Sequence, residues 1–347
     1  MKFQPDLVWI KNRSSSTNWH SLVDSVRGKC KIIFTNKTQA QEDYVSADKG
    51  VTYFGVDGFE VKDDSNSSYG VNGASGGTYS GTGKFVGWSW KAGGNKDTYN
   101  IDDVGYSSAA AAGLDGGTIN PTGASVGTKS GFSIITYTGN NSNVTLSHGL
   151  NKAPTFIMMK LGYSGGTGNW NIWHSALDIS KRLIFSSGGQ ETGYWNSTAP
   201  TANLFSIGSG INDNGVQMLA YLWHDVPGLQ KFGEYRGNSS ADGVYIELGF
   251  RPAMIMTKRY DGSSDWVIWD NKRGGGYNPN PYQLWPQNEG GGQTYDGPSG
   301  NYPIDFLSTG VKMRTSDSDV NAGDKYIYCA WAEQPLHNLY GATSSAR

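Results

Sequence analysis

The sequence predicts an all-β protein made of three tandem β-sandwich repeat domains of a jelly-roll-like kind. Glycine is roughly twice as frequent as usual, at 49 of 347 residues, and Asn, Ser and Thr are also common. This balance is typical of many short strands joined by turns. No long stretch has the apolar periodicity of a helix. A strand-like phrase about 20 residues long occurs three times along the chain.

Each copy of the phrase begins with a proline, an apolar run and a lysine six residues after the proline: Pro5 and Lys11, Pro154 and Lys160, Pro252 and Lys258. A polar or Gly-rich loop follows, and then a tryptophan: Trp19, Trp170 and Trp266. Burying a tryptophan removes roughly 150–250 Å² from water, so we predict that these three are core residues rather than sugar-binding ones. Trp19 leaves a second register open, because WHSLVD resembles WHSALD, which contains Trp173.

The recurring lysines have two interpretations. A lysine at the end of an apolar strand can extend its ammonium group to solvent, and we favour this interpretation. The alternative is an ion pair with an acid of the next segment, such as Asp24 or Asp178.

The repeats predict the domain boundaries. Segment 1 covers residues 1–94, segment 2 covers 131–227 and segment 3 covers 228–347, with a linker or extended arm at 95–130. Units of about 95–105 residues with strands every 8–15 residues are typical of β-sandwiches. Segments 2 and 3 open with GFSIITYTGN and KFGEYRGN, and segment 1 has no such strand. We expect residues 95–130 or a neighbouring subunit to complete the sheet of segment 1.

An insertion at 274–302 in segment 3 is rich in Gly, Pro and aromatic residues. Its candidate binding residues are Tyr277, Tyr282, Trp285 and Tyr295. Aromatic rings beside amides can bind a sugar, but Tyr and Trp are equally typical of subunit contacts. We favour the subunit contact.

Several function classes have little support. A net charge of −2 argues against nucleic-acid binding, and no apolar run reaches the ~20 residues that membrane insertion requires. No signal peptide is recognisable, and two cysteines do not make a disulfide scaffold. The five histidines lack metal-site spacing, and no G-x-S-x-G elbow is present. RTSDSDVNAGD (314–324) resembles a calcium loop but lacks its Gly and Glu. We therefore predict no enzyme activity, no metal and no cofactor.

The phrases NWHSLVDSVRG, GFSIITYTGN, SHGLNKAPTFIMMK, GFRPAMIMTKR and YCAWAEQP resemble a family of repeat proteins encoded by marine bacteriophages and cyanophages. Members are commonly described as tail fibre or other virion structural proteins. The resemblance covers nearly the whole chain and is weakest at 92–130 and 274–302. It implies a virion component of β-sandwich modules and carries no active site with it.

The function expected from this resemblance is a phage virion structural protein, a tail fibre or appendage for assembly and host-surface attachment. The chain would be made in the host cytoplasm and reside in the virion. Its partners would be further copies of itself, a trimer being the favoured assembly, together with other virion proteins and a host-surface glycan. Alternatives are a capsid-surface decoration protein and, with less support, a polysaccharide-degrading virion enzyme.

Overall fold

The protein is all-β, as the composition predicts. A computed structural model describes residues 3–13, 18–62, 70–72, 84–185, 188–273, 275–287 and 302–335. Within these ranges the chain forms 26 strands and a single 3₁₀ turn, Ser209–Ile211. These ranges contain no helix with the length and apolar character needed to cross a membrane.

Segment 1 forms a five-stranded sheet and a hairpin. The sheet order is β4-β3-β2-β1-β7, and β5 pairs with β6. The strands are β1 (Leu7–Asn12), β2 (Ser21–Asp24), β3 (Lys31–Phe34), β4 (Glu42–Asp43), β5 (Gly50–Gly55), β6 (Gly58–Lys62) and β7 (Phe85–Trp90).

The linker and segment 2 share one nine-stranded sheet. Its strands are β8 (Tyr99–Ile101), β9 (Val104–Tyr106), β10 (Gly123–Gly127), β11 (Phe132–Thr138), β13 (Phe156–Ser164), β14 (Trp170–His174), β15 (Lys181–Ile184), β16 (Glu191–Thr192) and β18 (Gln217–Trp223). The order is β16-β15-β14-β13-β18-β11-β10-β8-β9. A second, two-stranded sheet pairs β12 (Val144–Ser147) with β17 (Leu204–Ile207).

Segment 3 forms a five-stranded and a three-stranded sheet. Its strands are β19 (Gln230–Arg236), β20 (Tyr245–Glu247), β21 (Pro252–Arg259), β22 (Trp266–Asp270), β23 (Gln283–Leu284), β24 (Ile304–Phe306), β25 (Gly310–Met313) and β26 (Lys325–Ala332). The orders are β19-β26-β21-β22-β23 and β20-β25-β24. The large sheet therefore repeats the order β11-β18-β13-β14-β15 of segment 2.

Each large sheet buries one face against the smaller sheet of its own segment. In segment 2, Ile157 and Trp173 of the large sheet pack with Leu146 and Phe205 of the small one. In segment 3, Ile255 and Trp269 pack in the same way with strands β24 and β25. A third cluster joins β1, β2 and β3 to β5 in segment 1. This is a sandwich arrangement.

The opposite faces of the three large sheets meet in one shared hydrophobic cluster. It contains Trp9 and Trp90 from segment 1, Trp223 from segment 2, and Trp331 from segment 3, among others. Trp90 makes edge contacts with both Trp223 and Trp331, at centroid distances of 6.3 and 5.4 Å. The central strands are therefore covered on both faces, which explains why their sequences are continuous apolar runs such as FIMM and AMIM rather than alternating patterns.

Trp170 and Trp266 lie in this shared cluster, between the segments rather than inside one sandwich. Trp170 donates from Nε1 to the carbonyl of Phe34 at 2.7 Å, which joins segment 2 to segment 1. Trp266 donates to the carbonyl of Ile184 at 2.9 Å, which joins segment 3 to segment 2. Thr35 closes the ring by donating to the carbonyl of Pro286 at 2.6 Å. Every segment thus contacts the other two.

Trp19 does not occupy the place of Trp170 and Trp266. Lys160 lies opposite Trp170, and Lys258 lies opposite Trp266. Continuing the pairing of β1 and β2 one residue beyond Ile10 and Ser21 brings Lys11 opposite His20. His20 therefore fills the equivalent position, where its Nδ1 accepts a hydrogen bond from Trp9 at 3.0 Å. Trp19 is partly buried on the other face of the sheet, against Phe34.

The linker does not complete the sheet of segment 1. Its strand β10 pairs with β11, and β8 and β9 continue from there, so all three extend the sheet of segment 2. The predicted domain boundaries remain a prediction. The shared cluster adds that the three segments do not have fully separate cores.

The contact between Trp170 and Phe34 can be measured against a matched variant. Trp170→Phe removes volume and the inter-segment hydrogen bond, and we expect it to lower the free energy of unfolding by about 2–4 kcal/mol. Trp173→Phe on the same strand removes the same volume, but the Trp173 Nε1 has no hydrogen-bond partner in the described part of the chain. Denaturant unfolding should show Trp170→Phe to be worse by about 1–2 kcal/mol. Equal losses would mean that the hydrogen bond contributes nothing.

Candidate functional site

Three lysines at equivalent strand positions are buried. Lys11 is 5% exposed, and Lys160 and Lys258 are 0% exposed. The expectation that they extend to solvent is therefore wrong. The alternative ion pairs are also not formed in the described structure, since Asp24 pairs with Arg27 and Asp178 binds Ser180.

Within the described ranges, the hydrogen-bond acceptors of the lysines are backbone carbonyls. Lys160 donates from Nζ to the carbonyls of Lys37 and Thr38, both at 3.0 Å, and to Gly168. The first two acceptors belong to segment 1, so this lysine also ties segment 2 to segment 1. Lys11 donates to the carbonyls of Asn12 and Asn18, and Lys258 donates to Ser264. Each lysine thus supplies donors to a loop beside its strand.

Burial destabilises the charged form of these lysines relative to the neutral form. Desolvation lowers the pKa of Lys160 to about 7, and it lowers the pKa of Lys11 and Lys258 to about 8. Reactive lysines in enzymes share this property, but here the nitrogen is occupied by carbonyls within the fold. The arrangement therefore favours a structural role over a nucleophilic one.

A second recurring element is a buried acid–arginine pair three residues apart. Asp24 accepts from the Arg27 side chain at 2.6 Å and from its backbone amide at 2.8 Å. Asp270 and Arg273 repeat both contacts. The Asp24 carboxylate also accepts from the hydroxyl of Tyr221 in segment 2 at 2.7 Å. Buried ions need such partners, since either one alone would be left with an uncompensated charge.

A cavity of about 280 Å³ lies where segment 1, the linker and segment 2 meet. Segment 1 contributes Arg27 and Gln41, and segment 2 contributes Tyr163. The linker contributes Thr98 and Thr122. Arg27 stands at the inner side, where its Nη1 donates to the Gln41 Oε1 at 3.1 Å and its guanidinium carbon lies 5.9 Å from the centre of the Tyr163 ring.

The cavity walls mix hydroxyl, amide and guanidinium groups around one aromatic ring. Burial raises the pKa of Tyr163, so its hydroxyl stays protonated at neutral pH and can donate or accept a hydrogen bond. Charged side chains also line the cavity, namely Arg27, Lys31 and Asp97. Hydrogen-bond donors and acceptors beside an aromatic ring suit a polyhydroxylated ligand such as a sugar. The cavity is therefore a candidate site for a small polyhydroxylated molecule.

The aromatic residues of the insertion do not form one open surface. Tyr277 is 80% exposed, and Tyr282 is partly buried. Trp285 is 8% exposed and packs in the core of segment 3, with its ring centre 6.1 Å from that of Tyr302, so its ring is not available to a surface ligand. Tyr295 lies outside the described residues. Tyr277 therefore remains the exposed candidate of the described three.

The acidic loop in segment 3 is used for internal hydrogen bonds. Asp319 accepts from the hydroxyl of Tyr302 at 2.6 Å, and Asp317 accepts from the amide of Asp319 at 2.9 Å. Asn321 is fully buried and donates to the side chain of Asn238 at 2.9 Å. Across the described ranges, no group of three or more His, Cys, Asp or Glu side chains could hold a metal ion.

Asn212 in segment 2 does the same work as Asn321. It donates to Asn140 at 2.8 Å, and both acceptors follow directly after a glycine at the end of an opening strand. A Cβ on Gly139 or Gly237 would lie within 2.2 Å of a backbone oxygen, so glycine is required at both positions. We call this contact the Asn clamp. The shared GN in the two opening strands was the available sequence signal.

The acid–arginine pairs and the cavity were not predicted from the sequence. The pairs carried a visible signal, since WHSLVDSVRG and VIWDNKRG both contain D-x-x-R-G. The cavity carried none, because its lining residues come from positions 25 to 163 and meet only after folding.

Comparison with known proteins gives one family. A family model described as Domain of unknown function (DUF7483) matches residues 1–335. Neither the curated proteins nor the solved structures contain a significant match to this chain.

The low pKa of Lys160 makes stability depend on pH. The folded-state pKa lies below the ordinary value of 10.5, so the unfolded chain holds more protons between about pH 7 and 10.5. The free energy of unfolding should therefore rise with pH in this window. Lys160→Met should reduce the slope between pH 7.5 and 9.5 by about 1 kcal/mol per pH unit, as measured by denaturant unfolding.

The exposed Lys152 provides the matched control. Lys152→Met should leave the slope between pH 7.5 and 9.5 unchanged. If Lys160→Met also leaves it unchanged, Lys160 stays charged in the folded protein throughout this range.

Proposed function

We propose that this chain, which belongs to the family described as Domain of unknown function (DUF7483), is a structural component of a phage virion. Its place would be a tail fibre or related appendage, where it serves assembly and host-surface attachment. The sequence resemblance to phage repeat proteins is the first support for this role.

The observation that carries the proposal is the ring of contacts between the three segments. Trp170, Trp266 and Thr35 each donate a hydrogen bond to a carbonyl of a neighbouring segment. The shared cluster then excludes water from all three inner sheet faces. Such interlocking resists the separation of the segments under load, which suits a virion appendage.

Attachment to a surface glycan is the second part of the proposal. The cavity beside Arg27, Gln41 and Tyr163 supports it, because hydroxyl, amide and charged hydrogen-bonding groups and one aromatic ring surround a space of about 280 Å³. A weak sugar site is sufficient on a multivalent particle, since linked sites bind far more strongly together than singly.

Particle labelling tests the virion role. Gold-labelled antibodies against the folded chain should bind intact virions, and electron microscopy should place the gold on the tail. Gold confined to the shell would replace the fibre role with capsid decoration. Virions that carry no label, while the isolated chain binds the antibody, would overturn the structural proposal.

Glycan binding has its own test. Purified host-surface polysaccharide should bind the full chain in a pull-down assay without release of reducing ends. Tyr163→Ala should weaken binding about tenfold, which corresponds to about 1.4 kcal/mol. Tyr277→Ala is the matched control at the exposed insertion residue. Loss with Tyr277→Ala alone would move the site to the insertion, and release of reducing ends would indicate an enzyme.

A further inference from the structure

Strands β7, β18 and β26 occupy equivalent positions in the three large sheets. Each sheet contains a proline-led strand paired with a closing aromatic strand: β1 with β7, β13 with β18, and β21 with β26. Two of the closing strands also pair with a strand on their other edge: β18 pairs with β11, and β26 pairs with β19. Over the described ranges, β7 pairs with β1 alone. Within these ranges, the edge of the segment 1 sheet beside β7 therefore has one antiparallel strand fewer than the matching edges of the other two large sheets.

β7 is less buried than its two counterparts. Residues 218–223 of β18 and 326–331 of β26 are all buried. On β7, Gly87 is exposed, and Phe85, Val86 and Ser89 are partly exposed. The greater exposure of β7 is therefore consistent with an edge that has no neighbouring strand like β11 or β19.

The backbone of β7 is oriented to accept that strand. The amide of Arg13 donates to the carbonyl of Lys84, so alternate residues from Lys84 onward face β1. The residues between them, Phe85, Gly87 and Ser89, therefore direct their N–H and C=O groups to the other side. Their counterparts on β18 use these groups to bind β11, where the amide of His224 continues the ladder to Gly131.

The large sheets of segments 2 and 3, in which this edge is paired, show which side chains a strand beside β7 would need. Ile134 lies opposite Tyr221, and Phe232 lies opposite Cys329, at the level that Trp88 occupies on β7. Three residues later, Tyr137 lies opposite Met218, and Tyr235 lies opposite Tyr326. Both tyrosines point to the opposite face, and a Gly-Asn pair follows two residues after each.

The common pattern is apolar-x-x-Tyr-x-Gly-Asn. On β7 it would place an apolar side chain opposite Trp88 and a tyrosine opposite Phe85. The rings of Trp88 and Phe85 would stabilise such a strand, because aromatic side chains form favourable cross-strand pairs. The linker does not supply this strand, because β10 already pairs with β11.

We propose that the edge of β7 that is unpaired within the described ranges binds an antiparallel β-strand of another polypeptide that carries the pattern apolar-x-x-Tyr-x-Gly-Asn. Binding adds a strand to the sheet of segment 1, so main-chain hydrogen bonds supply affinity and the two side chains supply specificity. This interface goes beyond the virion role and holds whether or not the chain is found in a particle.

A peptide with the sequence of residues 131–140, GFSIITYTGN, is the probe. Added to the full chain, it should slow hydrogen exchange of the amides of Gly87 and Ser89 at least tenfold. Replacing the apolar and tyrosine positions of the peptide by Asn should abolish this protection. Slow exchange of both amides in the chain alone, at every protein concentration, would overturn the proposal, because the edge would already be filled.

Matched variants separate strand pairing from other binding. A Cβ on Gly87 meets no atom closer than 3.8 Å, so Gly87→Ala should bind the peptide normally. Gly87→Pro removes the edge amide and should weaken binding at least tenfold, with circular dichroism to check folding.

A peptide-side control keeps the test valid even if Gly87→Pro does not fold. N-methylation of the peptide at the position of Ile135, whose amide would face β7, should abolish binding. N-methylation at the position of Ile134, whose amide would face away, should not. Equal binding by both methylated peptides would overturn the proposal.

Discussion

The burial of three large sheets on both faces is the constraint on which this structure depends. One face of each sheet packs on a smaller sheet of its own segment, and the other joins the shared cluster. Removal of that second apolar face from water is the largest favourable contribution available to hold the segments together. It requires central strands without solvated side chains, which the sequence meets with runs such as LVWI, FIMM and AMIM.

Several polar groups within this interior have defined hydrogen-bond acceptors or donors in a neighbouring segment. Lys160 gives its hydrogens to three carbonyls, and Trp170 gives its indole hydrogen to another. Both side chains reach from segment 2 to segment 1. Hydrogen bonds fix direction where apolar contact does not, so these groups set which part of one segment meets which part of the next. The Asp24 carboxylate, shared by Arg27 and Tyr221, acts in the same way.

The departures from regular repetition are where the functional proposals arise. Within the described ranges, segment 1 shows no counterpart of the opening strand that the Asn clamp holds in the other two segments, and one edge of β7 is unpaired. The linker contributes three strands to segment 2, and two of its threonines line the polar cavity beside Arg27. The three segments thus share the packing of their sheets and differ at their edges. This is expected of a scaffold whose modules have the same core but contact different partners.

The sequence by itself determined the fold class and much of the local structure. Glycine-rich turns and apolar runs specify strands through backbone preference and burial, which are local properties. It also indicated that Trp170 and Trp266 are buried, and they are. Only the tertiary structure decided what these side chains touch. The position of Lys160 at the end of an apolar run suggested that its ammonium group extends to solvent. Its acceptors are instead the carbonyls of Lys37 and Thr38, more than 120 residues away in the chain. A local pattern can demand burial, but it cannot name a neighbour that another part of the chain brings into place.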